Sequence, residues 1–151
     1  MKKDKKIGFI CSPGGHLVEV LHLKEAFEGH PFFFLTYQEK ATSNRERTYY
    51  IKNFAKKPFS LIAGVLKIFF VFLKERPKVL FSTGAEIAIP CFYIGKFLFR
   101  MKLIYLECSA QVVHPSRTGK WVYPITDLFL VQWESLLREY GPKARYVGGL
   151  I

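Results

Sequence analysis

Acidic side chains are scarce in this chain. Twelve Asp and Glu stand against 23 Lys and Arg in 151 residues, giving a formal net charge of +11 and a pI near 9.7. An excess of that sign points to an anionic partner: nucleic acid, phospholipid headgroups or a phosphorylated substrate. Cysteine is sparse and odd in number. Cys11, Cys91 and Cys108 are widely spaced and set in apolar surroundings, which fits neither a disulfide framework nor a zinc site and agrees with a reducing compartment. The chain has no GxGxxG fingerprint and no GxxxxGK[ST] phosphate loop, which argues against a dinucleotide-dependent dehydrogenase and a P-loop NTPase. Without an Asp-x-Asp pair, no metal and no cofactor of its own is expected. A nucleic-acid-binding module has the charge here but lacks a basic recognition helix, an RNP motif or a zinc pattern, so no nucleic-acid partner is expected.

Long apolar runs are also wanting. The longest, residues 59–73, spans only about 22 Å as a helix, short of the roughly 30 Å hydrocarbon core. Although Met1 to Lys6 is basic like the start of a signal peptide, only a short apolar run precedes Pro13-Gly14-Gly15, so a cytoplasmic chain without a cleaved leader is expected. No repeat, low-complexity tract or linker breaks residues 1–151, which read as a single domain. Half the residues are hydrophobic and 17% aromatic, ample for a core.

What is present is an alternation of strand and helix patterns. Ile7 to Ile10 reads as a strand, Leu17 to Phe27 as a helix stopped at Gly29, and Phe32 to Thr36 as a strand buried on both faces. Gln38 to Arg47 reads as a loop and Tyr49 to Ile51 as a short edge strand. Pro58 to Arg76 reads as a helix whose narrow polar stripe (Ser60, Gly64, Lys67, Lys74) leaves an unusually wide apolar arc. A buried core helix and a helix whose outer face enters a bilayer are both open, the basic flanks Lys56, Lys57, Lys74, Arg76 and Lys78 favouring the second. Further strands are expected at Lys78 to Ser82, Leu103 to Leu106, Leu128 to Val131 and Arg145 to Val147, with helices at Ile87 to Arg100, Arg117 to Pro124 and Trp133 to Tyr140. This alternation predicts an α/β fold, a Rossmann-like parallel sheet with helices on both faces and ligands beyond the carboxyl ends of its strands. Four such ends stand out: Ser12 to His16, Ser82 to Glu86, Glu107 to Gln111, and Gln132. At the first, the glycines permit a sharp turn into an open helix N-terminus that attracts anions, with His16 at its mouth; a tight turn with a surface histidine is the plainer alternative.

Four motifs in order carry a family resemblance: Ser12-Pro13-Gly14-Gly15-His16-Leu17, Phe81-Ser82-Thr83-Gly84, Leu106-Glu107-Cys108-Ser109, and Ser116-Arg117-Thr118-Gly119-Lys120 with Tyr123 and Val131-Gln132-Trp133. From about Lys6 to Ile151 the chain resembles bacterial PssD/EpsE-type polysaccharide-biosynthesis proteins. That group is similar to the membrane-anchoring subunit of the eukaryotic UDP-N-acetylglucosamine transferase acting on dolichol-linked sugar and, more distantly, to the amino-terminal half of MurG-type GT-B transferases. Pro13 departs from the small residue common at its position. The resemblance implies half of a split hexosyltransferase, inactive without a PssE-type catalytic subunit that binds most of the UDP-sugar donor, working in exopolysaccharide or capsule synthesis. This half would hold a lipid-pyrophosphate-linked saccharide peripherally at an anionic membrane, on the cytoplasmic face.

On that reading His16 and Glu107 are rival catalytic bases. Ser12, Gly14, Gly15, Ser82, Thr83, Gly84, Ser109, Arg117, Gly119, Lys120, Tyr123 and Gln132 are expected at the acceptor, Arg117 and Lys120 pairing with lipid phosphates or forming a solvated basic face. Leu61, Ile62, Leu66, Phe69, Phe70, Phe72, Leu73, Phe92, Phe97 and Phe99 are expected at the membrane. The alternative is a non-catalytic anchor that recruits and activates the catalytic chain.

Overall fold

The computed structural model describes residues 5–38, 47–53 and 58–150. Seven strands, β1 (Ile7–Ile10), β2 (Phe32–Tyr37), β3 (Thr48–Ile51), β4 (Val79–Ser82), β5 (Lys102–Leu106), β6 (Leu128–Val131) and β7 (Ala144–Tyr146), form one sheet in the order β3-β2-β1-β4-β5-β6-β7. Every pairing is parallel, β1 aligning Ile7 with Phe32 on one side and with Val79 on the other. The chain therefore winds outward from β1 to one edge, returns, and winds to the other, which places the switch point between β1 and β4. The Rossmann-like fold expected from the alternation is the fold observed.

Among the described residues five helices connect the strands: α1 (Gly15–Leu23, continued by a 3-10 turn to Phe27), α2 (Pro58–Glu75), α3 (Ala88–Phe97), α4 (Arg117–Val122) and α5 (Ser135–Tyr140). Alternation along each strand divides the core in two. Leu35, Leu80, Leu103, Tyr105 and Phe129 point to the face covered by α2, α3, α4 and α5. Phe9, Phe34, Phe81 and Leu106 point to the other, where α1 lies with Val20 against them. The second layer is built largely of phenylalanine: Phe9 meets Phe27, Phe32, Phe34 and Phe81, its ring-centroid distances running from 5.3 to 6.0 Å. Such pairs add about 0.5–1.5 kcal/mol each beyond the area they bury.

The arc on α2 divides into two faces. Ile68, Val71 and Phe72 are buried in the core, while Leu61, Ile62, Leu66, Phe70 and Leu73 are exposed. Phe72 and Phe92 are corrections to the expected membrane set. Both are fully buried, because their positions on α2 and α3 turn them onto the sheet, where Phe92 meets Tyr105 edge-on. Phe69 and Phe99 are half-buried against each other, whereas Phe97 is exposed. The expected polar stripe also changes meaning. Gly64 is buried and, with Ser60, Lys67, Tyr50 and Lys52, borders a small cavity of about 440 Å³. No described helix is long and apolar enough to cross a membrane. The expected loop falls mostly on residues 39–46, and Lys56, Lys57 and Ile151 also lie outside the described residues.

Candidate functional site

At the switch point the turns after β1 and β4 are tied together. Thr83 Oγ1 donates to the carbonyl of His16 at 2.8 Å, and His16 Nδ1 lies 3.0 Å from the carbonyl of Thr83. A carbonyl only accepts, so Nδ1 carries a proton and Nε2 is the basic nitrogen of the neutral ring. Gly84 makes this approach possible. Its φ is +127°, and a Cβ there would come within 2.7 Å of the imidazole, so the position tolerates no side chain on two grounds. Ala85 follows at φ 72°. Gly14 caps α1 without a side-chain partner, and no acidic residue occupies the first turn, leaving the amide end of that helix open as expected from the two glycines.

Behind His16 stands a residue that sequence reasoning passed over. Glu19, one turn along α1, is buried: its Oε1 accepts from the amide of Ser109 at 2.8 Å and from Gln132 Nε2 at 3.4 Å, while Oε2 lies 3.9 Å from His16 Nδ1. The i, i+3 spacing puts both on one helix face and was the available signal. Cys108, half-buried after β5, completes a cluster in which one donor atom each of His16, Glu19 and Cys108 lie within 4.8 Å of one another. The expectation of apolar surroundings holds for the buried Cys11 and Cys91 and fails for Cys108. Cys108 first and Glu19 next, against the opposing effect of burial, raise the imidazole from 6.5 to about 10. His16 therefore holds its proton at neutral pH, suited to binding an anion; taking a proton through Nε2 requires losing one first.

Glu107 lines the same cavity as His16, at the strand end where it was expected, but its side chain is fully buried. Its Oε1 accepts from the amide of Cys108 at 3.0 Å and faces the Tyr105 hydroxyl at 3.4 Å; its Oε2 accepts from the amide and hydroxyl of Ser116, at 3.2 and 3.0 Å, and from the Tyr140 hydroxyl. A carboxylate engaged by so many donors is an anchor for the loop from 107 to 116. Burial, and then the Glu107 charge, push the Tyr140 hydroxyl well above its usual range, so it stays protonated and donating. Nothing in the sequence linked Glu107 with Tyr140, 33 residues on.

These turns wall a cavity of about 1040 Å³. His16, Gly84, Glu86, Cys108, Ser116 and Arg117 contribute polar groups or backbone, and Leu61, Ile89, Pro90 and Trp121 an apolar side. Of the residues expected at an acceptor, Gly84 and Arg117 line this cavity. Ser12, Gly14, Gly15, Ser109 and Lys120 lie outside its wall, Gly14, Gly15 and Lys120 being exposed. Ser82, Thr83, Gly119 and Gln132 are buried supports, and their expected ligand contacts are corrected accordingly. Ser82 Oγ bonds the Gly84 turn, Thr83 holds His16, and Gln132 reaches Glu19, the Glu107 carbonyl and the Leu150 amide. Gly119 is pressed so close to Tyr140, Glu107 and Ser116 that no Cβ fits. Tyr123, half-buried, stacks on Tyr140 and accepts from the Lys143 amide. Trp121 is exposed at the rim and was not anticipated.

The model of the family "Oligosaccharide biosynthesis protein Alg14 like" matches residues 49–150. The chain belongs to the Alg14 family. Among its relatives, UDP-N-acetylglucosamine transferase subunit ALG14 of Candida albicans is 40% identical over 85 residues, 52% of this chain and 38% of that protein. The Saccharomyces cerevisiae subunit of the same name is 26% identical across 99% of this chain and 78% of that protein. The match thus spans well under half of the Candida protein. Among solved structures, Acinetobacter baumannii MurG superposes with a TM-score of 0.74 at 14% identity, covering 96% of this chain and 45% of that one. A Methanocaldococcus jannaschii UDP-GlcNAc 2-epimerase gives 0.73 at 15%, covering 95% and 46%. These likenesses show that the Alg14-family chain has the fold of about half of such proteins.

Proposed function

We propose that this chain is the acceptor-binding, membrane-associating subunit of a two-chain, UDP-sugar-dependent glycosyltransferase acting on a lipid-pyrophosphate-linked saccharide. The observation that carries the reading is the two-sided cavity, polar at His16 and Arg117 and apolar at Leu61, Ile89 and Trp121. Leu61 belongs both to that wall and to the exposed apolar face of α2. A ligand with a phosphorylated head and a hydrocarbon tail matches such a site when α2 lies against a bilayer. The relatives' names make UDP-N-acetylglucosamine the first donor to test, and a PssE-type chain, in exopolysaccharide or capsule assembly on the cytoplasmic face, is the partner proposed to hold it.

In the transfer, an acceptor hydroxyl oxygen bonds the anomeric carbon, the bond from that carbon to the UDP oxygen breaks, and the hydroxyl proton passes to a base. His16, protonated, and the open amides of α1 are placed to neutralise the acceptor's pyrophosphate, and Arg117 adds a second cation. Glu107 acts as a positioning residue for the loop bearing Cys108 and Ser116. Because the Glu107 carboxylate is taken up by Cys108, Ser116 and Tyr140 and His16 holds its proton, a second reading stands beside the first: a chain that only binds and presents the acceptor, the partner supplying the base.

Co-expression with the partner and a transfer assay on a prenyl-pyrophosphate saccharide tests both. His16→Ala is expected to raise the acceptor KM about tenfold or more, as for a lost charge-assisted hydrogen bond to the pyrophosphate, while the two chains still co-purify; a fall in kcat of about 10²- to 10⁴-fold instead gives His16 the acid–base role. A drop confined to acceptor KM supports the presenting role, and no transfer with any UDP-sugar overturns the enzyme reading.

A further inference from the structure

We infer that His16, Glu19 and Cys108 form a binding site for a thiol-preferring divalent cation of the zinc class, with one coordination position facing the cavity. The inference rests on the cluster itself, independently of sugar transfer. One ligand atom from each residue already lies within 4.8 Å of the other two. Tetrahedral zinc, with bonds of about 2.0–2.3 Å, sets its ligands about 3.3–3.8 Å apart, so side-chain shifts of about an ångström close the set on an ion.

The second observation is an orphaned atom. Glu19 is 3% exposed, and its Oε2 is buried with no hydrogen-bond partner, although its Oε1 is held by the Ser109 amide and by Gln132. A buried carboxylate oxygen without a donor is costly unless it meets a cation. This one faces the His16 imidazolium at 3.9 Å, within ion-pair range but beyond hydrogen-bonding length, so no donor reaches it. A divalent ion between Glu19, His16 and Cys108 would satisfy it.

The surroundings have the character of an outer coordination shell. Metal-bound imidazoles almost always pass their remaining N–H to a carbonyl or carboxylate, and His16 Nδ1 lies 3.0 Å from the Thr83 carbonyl. The backbone on either side of the thiol is pinned, the Cys108 amide by Glu107 and the Ser109 amide by Glu19. Thiolate with imidazole selects zinc over magnesium or calcium, which prefer oxygen ligands. His16 and Cys108 line the cavity while Glu19 lies behind them, leaving a fourth position for water or a ligand oxygen, as in three-ligand zinc sites. On binding, the ion replaces both the thiol proton and the proton that His16 holds on Nε2 at neutral pH, and the two leave to solvent.

Cobalt(II) reports this site by colour. The full chain, stripped of metal with chelator, is titrated with CoCl₂ and then with ZnCl₂, and absorbance is followed in the near ultraviolet and visible. The expected result is a thiolate-to-cobalt charge-transfer band with tetrahedral visible bands, saturating at one cobalt per chain and erased by zinc. Cys108→Ser removes the charge-transfer band, and His16→Ala and Glu19→Gln each raise the half-saturating cobalt about tenfold or more, at least the effect of losing an outer partner. Circular dichroism confirms that each variant folds; should His16→Ala or Glu19→Gln not fold, a zinc-induced rise in Tm present in the parent and absent in Cys108→Ser decides. No band, a band surviving Cys108→Ser, or one unchanged in both His16→Ala and Glu19→Gln overturns the site.

Discussion

The imidazole of His16 joins the two halves of the sheet, and its proton is where pH acts. The unfolded ring titrates near 6.5 and the folded ring near 10. Between those values the native state binds more protons than the unfolded one, so stability falls as pH rises through the window. The contribution of His16 is full below pH 6.5 and lost as pH passes about 10. Urea denaturation of the parent and His16→Ala is therefore expected to give a stability gap that is widest near pH 6 and closes toward pH 10; a gap independent of pH defeats the assignment. Glu107 offers a larger effect. Replacing it with Ala leaves the buried Tyr140 hydroxyl and the amides of Cys108 and Ser116 without their acceptor. At about 1–3 kcal/mol for each unsatisfied buried group, a loss of about 3 kcal/mol or more in urea is expected, and a loss under about 1 kcal/mol contradicts the anchor. Gly119→Ala presses on the same hub, its Cβ arriving 2.5 Å from Glu107 Oε2, and about 1–3 kcal/mol is expected from overpacking.

At the scale of elements, α2 carries two apolar faces and only one is used. Ile62, Leu66, Phe70 and Leu73 recur at spacings of four, four and three, a single exposed stripe, while Ile68, Val71 and Phe72 hold the helix to the sheet. Ile62→Glu with Phe70→Glu is expected to abolish co-sedimentation with vesicles at high salt and to shift unfolding by no more than about 0.5 kcal/mol per site, since neither side chain reaches the core. Retained sedimentation at high salt removes the stripe from membrane binding. This element also shows what periodicity can and cannot tell. An apolar arc wider than one contact was legible from residues 59–73, but Phe72 and Phe92 could be assigned to a face only once their helices had settled on the sheet. Strands were legible for the same reason in reverse: Phe32 to Thr36 and Leu128 to Val131 are short apolar runs that a parallel sheet buries wherever they fall. The site was less so. His16 and Gly84 sit in the turns that announce themselves by glycine, and Glu107 at a strand end, whereas Glu19, Tyr140 and Trp121 act through contacts made across the fold, and the donors that engage Glu107 come from Ser116 and Tyr140 further along the chain.

For the whole molecule, the surplus of 11 positive charges and the apolar stripe act on a membrane by different laws. Attraction of Lys and Arg to anionic lipid is worth about 1 kcal/mol per residue near the surface and decays within the Debye length, roughly 10 Å at 0.1 M salt and 3 Å at 1 M. Burial of the stripe, at about 25 cal/mol per Å² of apolar surface, does not depend on such screening. The charge therefore governs whether the protein reaches an anionic bilayer and the stripe whether it stays. Binding to vesicles containing phosphatidylglycerol is expected to exceed binding to phosphatidylcholine at low salt and to fall as salt approaches 1 M, with a residue that salt does not remove. Ile62→Glu with Phe70→Glu should remove that residue and leave part of the salt-sensitive attraction at low ionic strength. A protein that binds duplex DNA or RNA as tightly as anionic vesicles under the same salt, or that binds neutral and anionic vesicles equally at low salt, would show that the basic surface serves something other than lipid.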